Sequence, residues 1–285
     1  MDISVIVPIY KGQKYIEPIQ KMVSQNVDYA DSHGKTLQVE LLFVNDYPDE
    51  IIKVDVAKKQ YEVEVIVNDR NRGIHQTRVN GLKKAKGEYI LFLDQDDEIT
   101  QNCLYSQYNA IEDNDIVVGN GYRWINGQYR KIYRNIKKQR LACKESIFLK
   151  ATNQIVSPGH CLIKKTAIVS TWIDNIMEDN GADDLFLWLL MFENNKKFSI
   201  NQDCVYKHVY TGINLSSDLD IMNRSSNNII RLARESGCID EKKIKVYERR
   251  VAFLNHIKTT TGLKRCIAIL CNLDIVILKI YAFYR

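Results

Sequence analysis

Short apolar runs rich in β-branched residues alternate with longer polar stretches over the first hundred residues of the chain. The runs predict buried strands at residues 3–7, 40–44, 64–67 and 89–93. Helices are predicted between them at 15–25 and at 73–86, where Gly87 ends the second one. Strands separated by helices predict βαβ units and a mostly parallel sheet. Ligands collect at the carboxyl ends of such strands, and three of these ends carry an aspartate.

The chain lacks the glycine-rich sequences that usually bind nucleotides in such sheets. No G-x-G-x-x-G follows the first predicted strand and no G-x-x-x-x-G-K-[ST] occurs, which disfavours a dinucleotide-binding dehydrogenase and a P-loop enzyme. Instead, the fourth strand runs into Asp94-Gln95-Asp96-Asp97. Because one or two carboxylates and substrate phosphates together hold Mg²⁺ or Mn²⁺, this acidic cluster predicts a divalent metal site.

The segment from Asn71 to Asp97 resembles the donor-site signature of family 2 glycosyltransferases, which reads N-x-G, A-R-N, A-x-G-E-Y-I and D-x-D-D. Other motifs of that family have similar sequences here, in chain order Pro8-Ile9-Tyr10 (P-x-Y), Val44-Asn45-Asp46 (V-N-D-G-S), residues 181–189 (E-D-x-x-L-W-L), and Tyr206-Lys207-His208 followed by Ser216 (Y-x-H and serine). The resemblance extends over residues 3–216 and leaves the tail outside it.

The resemblance implies a GT-A-like α/β fold, with a mostly parallel Rossmann-like sheet, flanking helices and a C-terminal helical extension. It divides the chain into three parts. Residues 1–97 are expected to form the nucleotide-sugar-binding half of a catalytic domain and residues 98–216 its acceptor-binding half, with residues 217–285 as a basic helical extension.

The implied activity is metal-dependent, inverting transfer of a sugar from a nucleotide-sugar, by default a UDP-sugar. Mn²⁺ or Mg²⁺ is the implied cofactor, with Asp96 and His208 as its ligands. By the same resemblance, the nucleotide-sugar site contains Pro8, Tyr10, Asp46, Asp69, Arg78, Asp94, Gln95 and Asp96. For Asp69, a plain turn residue is the alternative interpretation. For His208, the alternative is a packed residue among tyrosines.

The acceptor side of the reaction needs a base, because a hydroxyl attacks the anomeric carbon well only while it loses its proton. Asp184 opens an apolar helix predicted at 185–192 and is the expected base. The alternative is that this carboxylate merely stabilises the helix N-terminus. Weaker candidates for the acceptor site are Asp183, His160 and Trp124. Packing in the core is the first expectation for Trp124, although neighbouring tyrosines make an acceptor wall the alternative.

Several departures from the family pattern leave other functions open. Tyr47-Pro48 replaces Gly-Ser and Val79 stands where Asn is usual. These changes favour a degenerate transferase that binds nucleotide or a partner without turnover, whereas Asp96 and Asp184 favour an active enzyme. The strand before Asp94 also resembles the D-x-D start of haloacid-dehalogenase-type phosphatases, but Glu98 stands where that motif has Thr or Val.

Composition adds constraints on class and compartment. The chain has 285 residues, 45% of them hydrophobic and 26% charged, which is ordinary globular composition. Seven cysteines without a C-x-x-C pair and no signal-peptide pattern favour the cytoplasm. The formal charge of +5 is too small to indicate nucleic acid.

The positive charge lies in the tail, where residues 240–285 contain ten basic and four acidic side chains. A basic amphipathic segment favours peripheral contact with the inner face of the cytoplasmic membrane. Such contact would suit an acceptor glycan linked to a polyprenyl lipid, as in bacterial surface polysaccharide synthesis. The alternative is a helical hairpin that packs on the catalytic domain or on a second subunit of a homodimer.

Overall fold

A computed structural model of the chain describes residues 1–56, 60–125, 127–210, 212 and 218–284, with only the backbone of Leu219 and Tyr284. The chain forms two compact units. The first contains Met1–Arg134, Ile155–Ile168 and Lys196–Asn214, and the second contains Asn135–Gln154, Val169–Asn195 and Leu215–Arg285. These units do not follow the boundaries expected at 97 and 216, of which the latter lies outside the described residues. The functional division into donor and acceptor halves stays a prediction.

The first unit is a mixed β-sheet with helices. Among its described residues the strands are β1 (Ile3–Ile9), β2 (Val39–Asn45), β3 (Glu62–Val67), β4 (Tyr89–Phe92), β5 (Glu98–Ile99), β6 (Ile116–Ile125), β7 (Gln128–Lys131), β8 (Cys161–Lys164) and β9 (Phe198–His208). They lie in the order β3-β2-β1-β4-β8-β6-β9-β5, and β7 pairs with β6. The helices of this unit are α1 (Gln13–Ser32), α2 (Gly73–Lys84) and α3 (Cys103–Ile111).

The four predicted strands are confirmed as parallel neighbours. β1 pairs with β2 and β4, and β2 pairs with β3, all in parallel. Every residue of β2 is buried, as expected for a strand between two others, whereas β3 at the edge is mostly exposed or half-buried. In this register Ile9 lies beside Asn45, and Asn45 beside Val67, so the residues that follow the three strands meet at one edge.

A buried carboxylate holds the connection between α2 and β4. Glu40 in β2 accepts hydrogen bonds from the Ser4 hydroxyl and from the backbone N–H of Lys86, both at 2.5 Å. The Gly87 N–H donates to the Ser4 hydroxyl at 2.8 Å. A Cβ atom on Gly87 would lie 2.5 Å from the Ser4 backbone nitrogen, so this close approach requires glycine. The glycine of the A-x-G-E-Y-I motif is therefore a packing requirement of the sheet.

The second unit is helical. Its helices are α4 (Ile136–Gln139), α5 (Glu145–Lys150), α6 (Ser170–Asp174), α7 (Asp183–Glu193), α8 (Leu219–Ser236), α9 (Glu241–Thr259), α10 (Gly262–Cys271) and α11 (Leu273–Tyr284). The predicted apolar helix after Asp184 is confirmed as α7. No single helix within the described residues has the length and hydropathy to span a membrane; α10 and α11, bent by 86°, meet that test only as a pair.

We predict that Gly87→Ala destabilises the fold by about 1–3 kcal/mol, because the added methyl group meets backbone that cannot move without disturbing β1. Urea unfolding followed by circular dichroism measures the change. Lys84→Ala, an exposed change three residues earlier, should alter the free energy of unfolding by less than about 0.5 kcal/mol. Equal midpoints for the two variants would contradict the close approach.

Candidate functional site

The loop after β1 is held from both sides by side chains of the first unit. The backbone N–H of Tyr10 donates to the Gln95 side-chain oxygen at 2.9 Å, and the Gln95 amide donates back to the Tyr10 carbonyl at 3.2 Å. Glu50 accepts from the Gly12 N–H at 2.8 Å. Pro8, just before this loop, lies in β1 beyond the residues that pair with β4, where its missing N–H leaves that pairing intact. Gln95 therefore positions the loop that carries Tyr10.

Two tyrosine rings and a lysine form an exposed aromatic corner beside this loop. The Tyr10 ring, 42% exposed, meets the Tyr47 ring edge-on with centroids 5.5 Å apart. The Lys11 ammonium lies 5.5 Å from the Tyr10 ring centroid and 4.9 Å from that of Tyr47. Tyr47 is one of the two residues that replace the usual Gly-Ser, so the departure adds an aromatic surface here.

The Asp46 carboxylate is hydrogen-bonded to the start of α2. Its carboxylate accepts hydrogen bonds from the backbone N–H groups of Arg72 at 2.7 Å and Gly73 at 2.9 Å, and from the Asn68 amide at 2.8 Å. A carboxylate at a helix N-terminus satisfies free N–H groups and complements the helix dipole. Asp46 is buried, so it joins the ends of β2 and β3 to α2. Its expected contact with the nucleotide stays a prediction.

Asp69 and its buried neighbour Asn68 have different environments and different hydrogen-bond partners. Asn68 donates to Asp46 and to the Thr77 hydroxyl and accepts from the Asn80 amide at 2.7 Å. The Asp69 carboxylate is 64% exposed and pairs with Arg72, which lowers the Asp69 pKa below its ordinary value. The geometry thus fits the turn-residue interpretation of Asp69, while Asn68 belongs to the network around Asp46.

Arg78 and Asp94 form an ion pair just after the end of β4. The Arg78 guanidinium, almost fully buried in α2, donates to one Asp94 oxygen at 2.5 Å. The Ser157 hydroxyl donates to the other oxygen at 3.2 Å. Both Asp94 oxygens therefore have protein partners, and Arg78 neutralises its charge. Arg78 therefore supports Asp94, and its expected contact with the nucleotide stays a prediction.

Asp96 contrasts with its two acidic neighbours. Among the described residues, no other residue donates a hydrogen bond to its carboxylate in the structure. Burial, with the negative charges of Asp97 and Asp94, raises the pKa of Asp96 to about 6. The half-buried Asp96 carboxylate is thus the member of the D-x-D-D sequence whose oxygens remain available to a ligand.

Asp97 anchors His208, which is the last residue of β9. The buried Asp97 carboxylate accepts from the Tyr206 hydroxyl, from His208 Nδ1 at 3.0 Å and from the Val209 N–H at 2.9 Å. Burial raises the Asp97 pKa, and the hydrogen bond from His208 opposes that rise. Burial lowers the His208 pKa, but the hydrogen bond and charge of Asp97 outweigh it and raise that pKa overall. His208 is thereby held beside the acidic cluster, with Nε2 as its remaining ligand nitrogen.

His160 is an interior residue, which corrects its assignment to the acceptor site. Its ring is fully buried, Nδ1 lies 2.8 Å from the Gly119 carbonyl, and Nε2 accepts from the Val156 N–H at 3.2 Å. Burial lowers the pKa of His160 to about 4. With both nitrogens bonded inside the protein, the neutral ring fixes the loop before β8 and has no edge for an acceptor.

Trp124 and Trp188 have opposite environments. Trp188 is fully buried in α7. Trp124 is 40% exposed, so the expectation that it packs in the core is wrong. It lies on the β6–β7 hairpin, 5.0 Å from the Tyr129 ring in an edge-to-face arrangement. This exposed aromatic pair fits the alternative of a sugar-stacking wall.

In the second unit, Asp184 has the exposure that a base requires. Its carboxylate is half-buried at the start of α7 and accepts from the Asn153 amide at 3.0 Å and from the Leu185 N–H at 2.7 Å. Asp183, by contrast, is 3% exposed, and the Trp172 indole donates to its carbonyl at 2.9 Å. The burial of Asp183 corrects its assignment to the acceptor site, because its side chain lies inside the helical unit.

The residues at the acidic cluster fit a divalent metal only if a ligand completes its coordination. No group of three or more His, Cys, Asp or Glu side chains in the described parts of the chain is placed to hold a metal. Asp96 and His208 offer one carboxylate and one imidazole. A carboxylate on the second nitrogen of a histidine is the usual support of a metal ligand, and Asp97 occupies that position on His208. This donor set fits a metal shared with substrate phosphates.

Sequence reasoning missed the residues that support the acidic side chains. Ser157 lies 63 residues from Asp94 along the chain, and Asn153 lies 31 residues from Asp184. Neither belongs to a recognised motif, and a serine or asparagine in a loop carries no signal of its partner. Tyr206 was noted as part of Y-x-H, but its contact with Asp97 depends on the pairing of β5 with β9.

Comparison with known sequences decides the family. Residues 4–171 match the profile described as glycosyl transferase family 2. The chain belongs to this family.

Two bacterial relatives of this family 2 member carry names that refer to poly(ribitol-phosphate) and to teichoic acid biosynthesis. Poly(ribitol-phosphate) beta-N-acetylglucosaminyltransferase TarP of Staphylococcus aureus is 25% identical over 234 residues, which cover 79% of this chain and 68% of TarP. Minor teichoic acid biosynthesis protein GgaB of Bacillus subtilis is 34% identical over 116 residues, 39% of this chain. The match covers 12% of GgaB.

Solved structures confirm the predicted GT-A-like α/β fold. Residues 1–349 of S. aureus TarS superpose with a TM-score of 0.61 at 17% identity, covering 98% of this chain and 81% of that one. The same fragment in complex with UDP-GlcNAc gives a TM-score of 0.58 at 17% identity, with the same coverage of both chains. At this identity the likeness concerns the fold.

We predict that Arg78→Met lowers the free energy of unfolding of this family 2 protein by about 3 kcal/mol, because it leaves the Asp94 carboxylate without its cation. Asp69→Asn removes an ion pair that solvent already screens and should leave stability nearly unchanged. Urea unfolding of the two variants at neutral pH makes the comparison. Similar stabilities would contradict the role given to Arg78.

Proposed function

We propose that the chain is a metal-dependent inverting glycosyltransferase that moves a sugar from a UDP-sugar to a hydroxyl of a glycan or lipid-linked acceptor in bacterial surface polysaccharide synthesis. The observation that carries the proposal is the difference among three neighbouring carboxylates. Asp94 and Asp97 are bonded to Arg78 and His208, and Asp96 is left available. A site built this way suits a ligand that brings its own phosphate oxygens.

The donor half of the proposal rests on the loop after β1 and on the relatives. The exposed Tyr10 and Tyr47 rings offer aromatic surface to a base, and Gln95 fixes the loop backbone. The complexes of TarS with UDP and with UDP-GlcNAc support a uridine nucleotide as the donor carrier. The names of TarP and of the Bacillus spizizenii poly(ribitol-phosphate) beta-glucosyltransferase support a hexosyl or N-acetylhexosaminyl group.

Asp96 and His208 would hold Mn²⁺ or Mg²⁺ together with the diphosphate. When bound, a divalent cation offsets the negative charge that develops on the departing diphosphate. Asp97 keeps the His208 ring in place through Nδ1, and the ion pair with Arg78 fixes Asp94 beside them. These residues thus form a site that can hold the negatively charged diphosphate, although three of its side chains are aspartates.

Asp184 is the proposed base. Its half-buried carboxylate has one oxygen on the Asn153 amide and the other on a backbone N–H, which orients it on the rigid start of α7. The acceptor hydroxyl gives its proton to this carboxylate as it attacks the anomeric carbon from the face opposite the diphosphate. One displacement inverts the anomeric configuration, and no covalent enzyme nucleophile takes part.

We predict that the protein binds UDP in the presence of Mn²⁺ and that Asp96→Asn weakens this binding by at least about tenfold, since one metal ligand loses its charge. Isothermal titration with UDP, with and without Mn²⁺, measures the effect. Glu98→Gln removes an exposed acid two residues away and serves as the matched control. UDP affinity that is unchanged both without Mn²⁺ and in Asp96→Asn would contradict the proposed metal site.

We predict that Asp184→Asn reduces the rate of sugar transfer from UDP-GlcNAc or UDP-glucose to poly(ribitol phosphate) by about 10²–10⁴-fold while UDP binding is unchanged. Glu178→Gln, an exposed acid of the same unit, should keep full activity. Full binding of UDP with no transfer by the unmodified protein would instead favour the degenerate, partner-binding alternative for this acceptor. The anomeric configuration of the product, read by NMR, tests inversion.

A further inference from the structure

Helix α10 has an apolar face that nothing in the described structure covers. No residue of this helix is buried. Leu263, Cys266, Ile267 and Leu270 are all exposed and follow the i, i+3, i+4, i+7 spacing of one helix face. Leu263 is 76% exposed and Leu270 is 64% exposed. A soluble surface helix normally turns such a face to a core, so this face is built for another environment.

Helix α11 is apolar on two faces, and one of them packs inside the helical unit. Ile275 is fully buried, and Leu278 and Ala282 pack against the cluster formed by Leu141, Ile147 and Ala151. The outward face contains Leu273, Ile277, Ile280 and Tyr281, which are 41–61% exposed. The inward face therefore anchors α11 to the unit and leaves a second apolar face exposed.

The interruption between helices α10 and α11 at Asn272 determines which side chains share each helix face. A single continuous helix through residues 264–280 would group Ile269 with Val276, whereas the 86° bend between α10 and α11 separates these positions. Ile269 and Val276 are half-buried, and the exposed faces lie on the other sides of the two helices.

The charges around these faces are positive where they are exposed. Lys258 at the end of α9 and Lys264 and Arg265 in α10 are exposed. Asp274 is the one acid between 262 and 284. Its carboxylate pairs with Lys150 at 3.2 Å and with Arg249, so its charge is neutralised within the unit. The exposed apolar faces are thus bordered by unbalanced basic side chains.

The dimensions of the two helices exclude a span by either one alone. At 1.5 Å per residue, α10 is about 15 Å long and α11 about 18 Å long, against about 30 Å of hydrocarbon in a bilayer. Short helices with an apolar face and basic flanks lie in the plane of the membrane interface, where acyl chains take the apolar face and anionic headgroups meet the cations.

We propose that the outward faces of α10 and α11 dock this protein on an anionic lipid surface. Apolar side chains at Leu263, Ile267, Leu270, Ile277 and Ile280 enter the interface, and Lys264 and Arg265 contact the headgroups. The basic border is what favours lipid over a second protein chain, because it complements a surface of uniform negative charge. This docking is independent of the proposed transfer of sugar and would hold for a chain without that activity.

The test is flotation of the full chain with vesicles of phosphatidylcholine, with and without phosphatidylglycerol, in low and high salt. The unmodified protein should float with the phosphatidylglycerol vesicles. The double variant Leu270→Gln and Ile277→Gln should weaken the partition by at least about tenfold, because both side chains lose their apolar transfer energy. Lys264→Gln with Arg265→Gln should weaken it in low salt and much less in high salt, where headgroup charge is screened.

The matched control is Ile51→Gln with Val56→Gln, which changes two similarly exposed apolar side chains of the first unit and should leave flotation intact. Circular dichroism should show the same melting for all variants, since none of these side chains is buried. The proposal is overturned if the unmodified protein does not float, or if the Leu270→Gln and Ile277→Gln variant floats as well as the unmodified protein does. Dissociation of a dimer by that variant in sedimentation velocity, without flotation of the unmodified protein, would instead make these faces an interface between copies.

Discussion

Three carboxylates within four residues at the end of one strand repel one another, and the surrounding structure stabilises each in a different way. Asp94 receives a buried guanidinium from Arg78, and Asp97 receives hydrogen bonds from Tyr206, His208 and Val209. Asp96 receives no such partner among the described residues, and burial with the two neighbouring charges raises its pKa to about 6. A cation that arrives with a ligand would relieve this repulsion most directly at Asp96.

The same principle explains why so many elements converge on this strand end. α2 contributes Arg78, the far end of β9 contributes Tyr206 and His208, and the loop before β8 contributes Ser157. Arg78, Ser157 and Tyr206 each hold an oxygen of Asp94 or Asp97, and Asp97 holds a ring nitrogen of His208. The acidic cluster therefore keeps a defined shape before any ligand binds. Preorganised charge of this kind costs no rearrangement during a reaction, which is the property that transfer from a diphosphate requires.

The helical unit solves a different physical problem, that of an excess of apolar surface. α7 is buried on nearly all sides, and α11 uses one apolar face to pack beside α5. The remaining faces of α10 and α11 stay exposed next to basic side chains. Asp274 is consistent with this division, because its ion pairs with Lys150 and Arg249 turn it away from the apolar surface.

The sequence by itself determined the local features whose signals are short-range. The β-branched runs located β1 to β4, the apolar run after Asp184 located α7, and the motifs between Asn71 and Asp97 indicated the family. Only the tertiary structure decided which polar groups meet. His160 is buried, Trp124 is exposed, Asp46 is bonded to α2, and Asp97 meets His208 across 111 residues. Periodicity reports the side of an element on which a residue lies, but the partner of a polar side chain depends on how distant segments pack, because burial favours whichever donor the fold brings within reach.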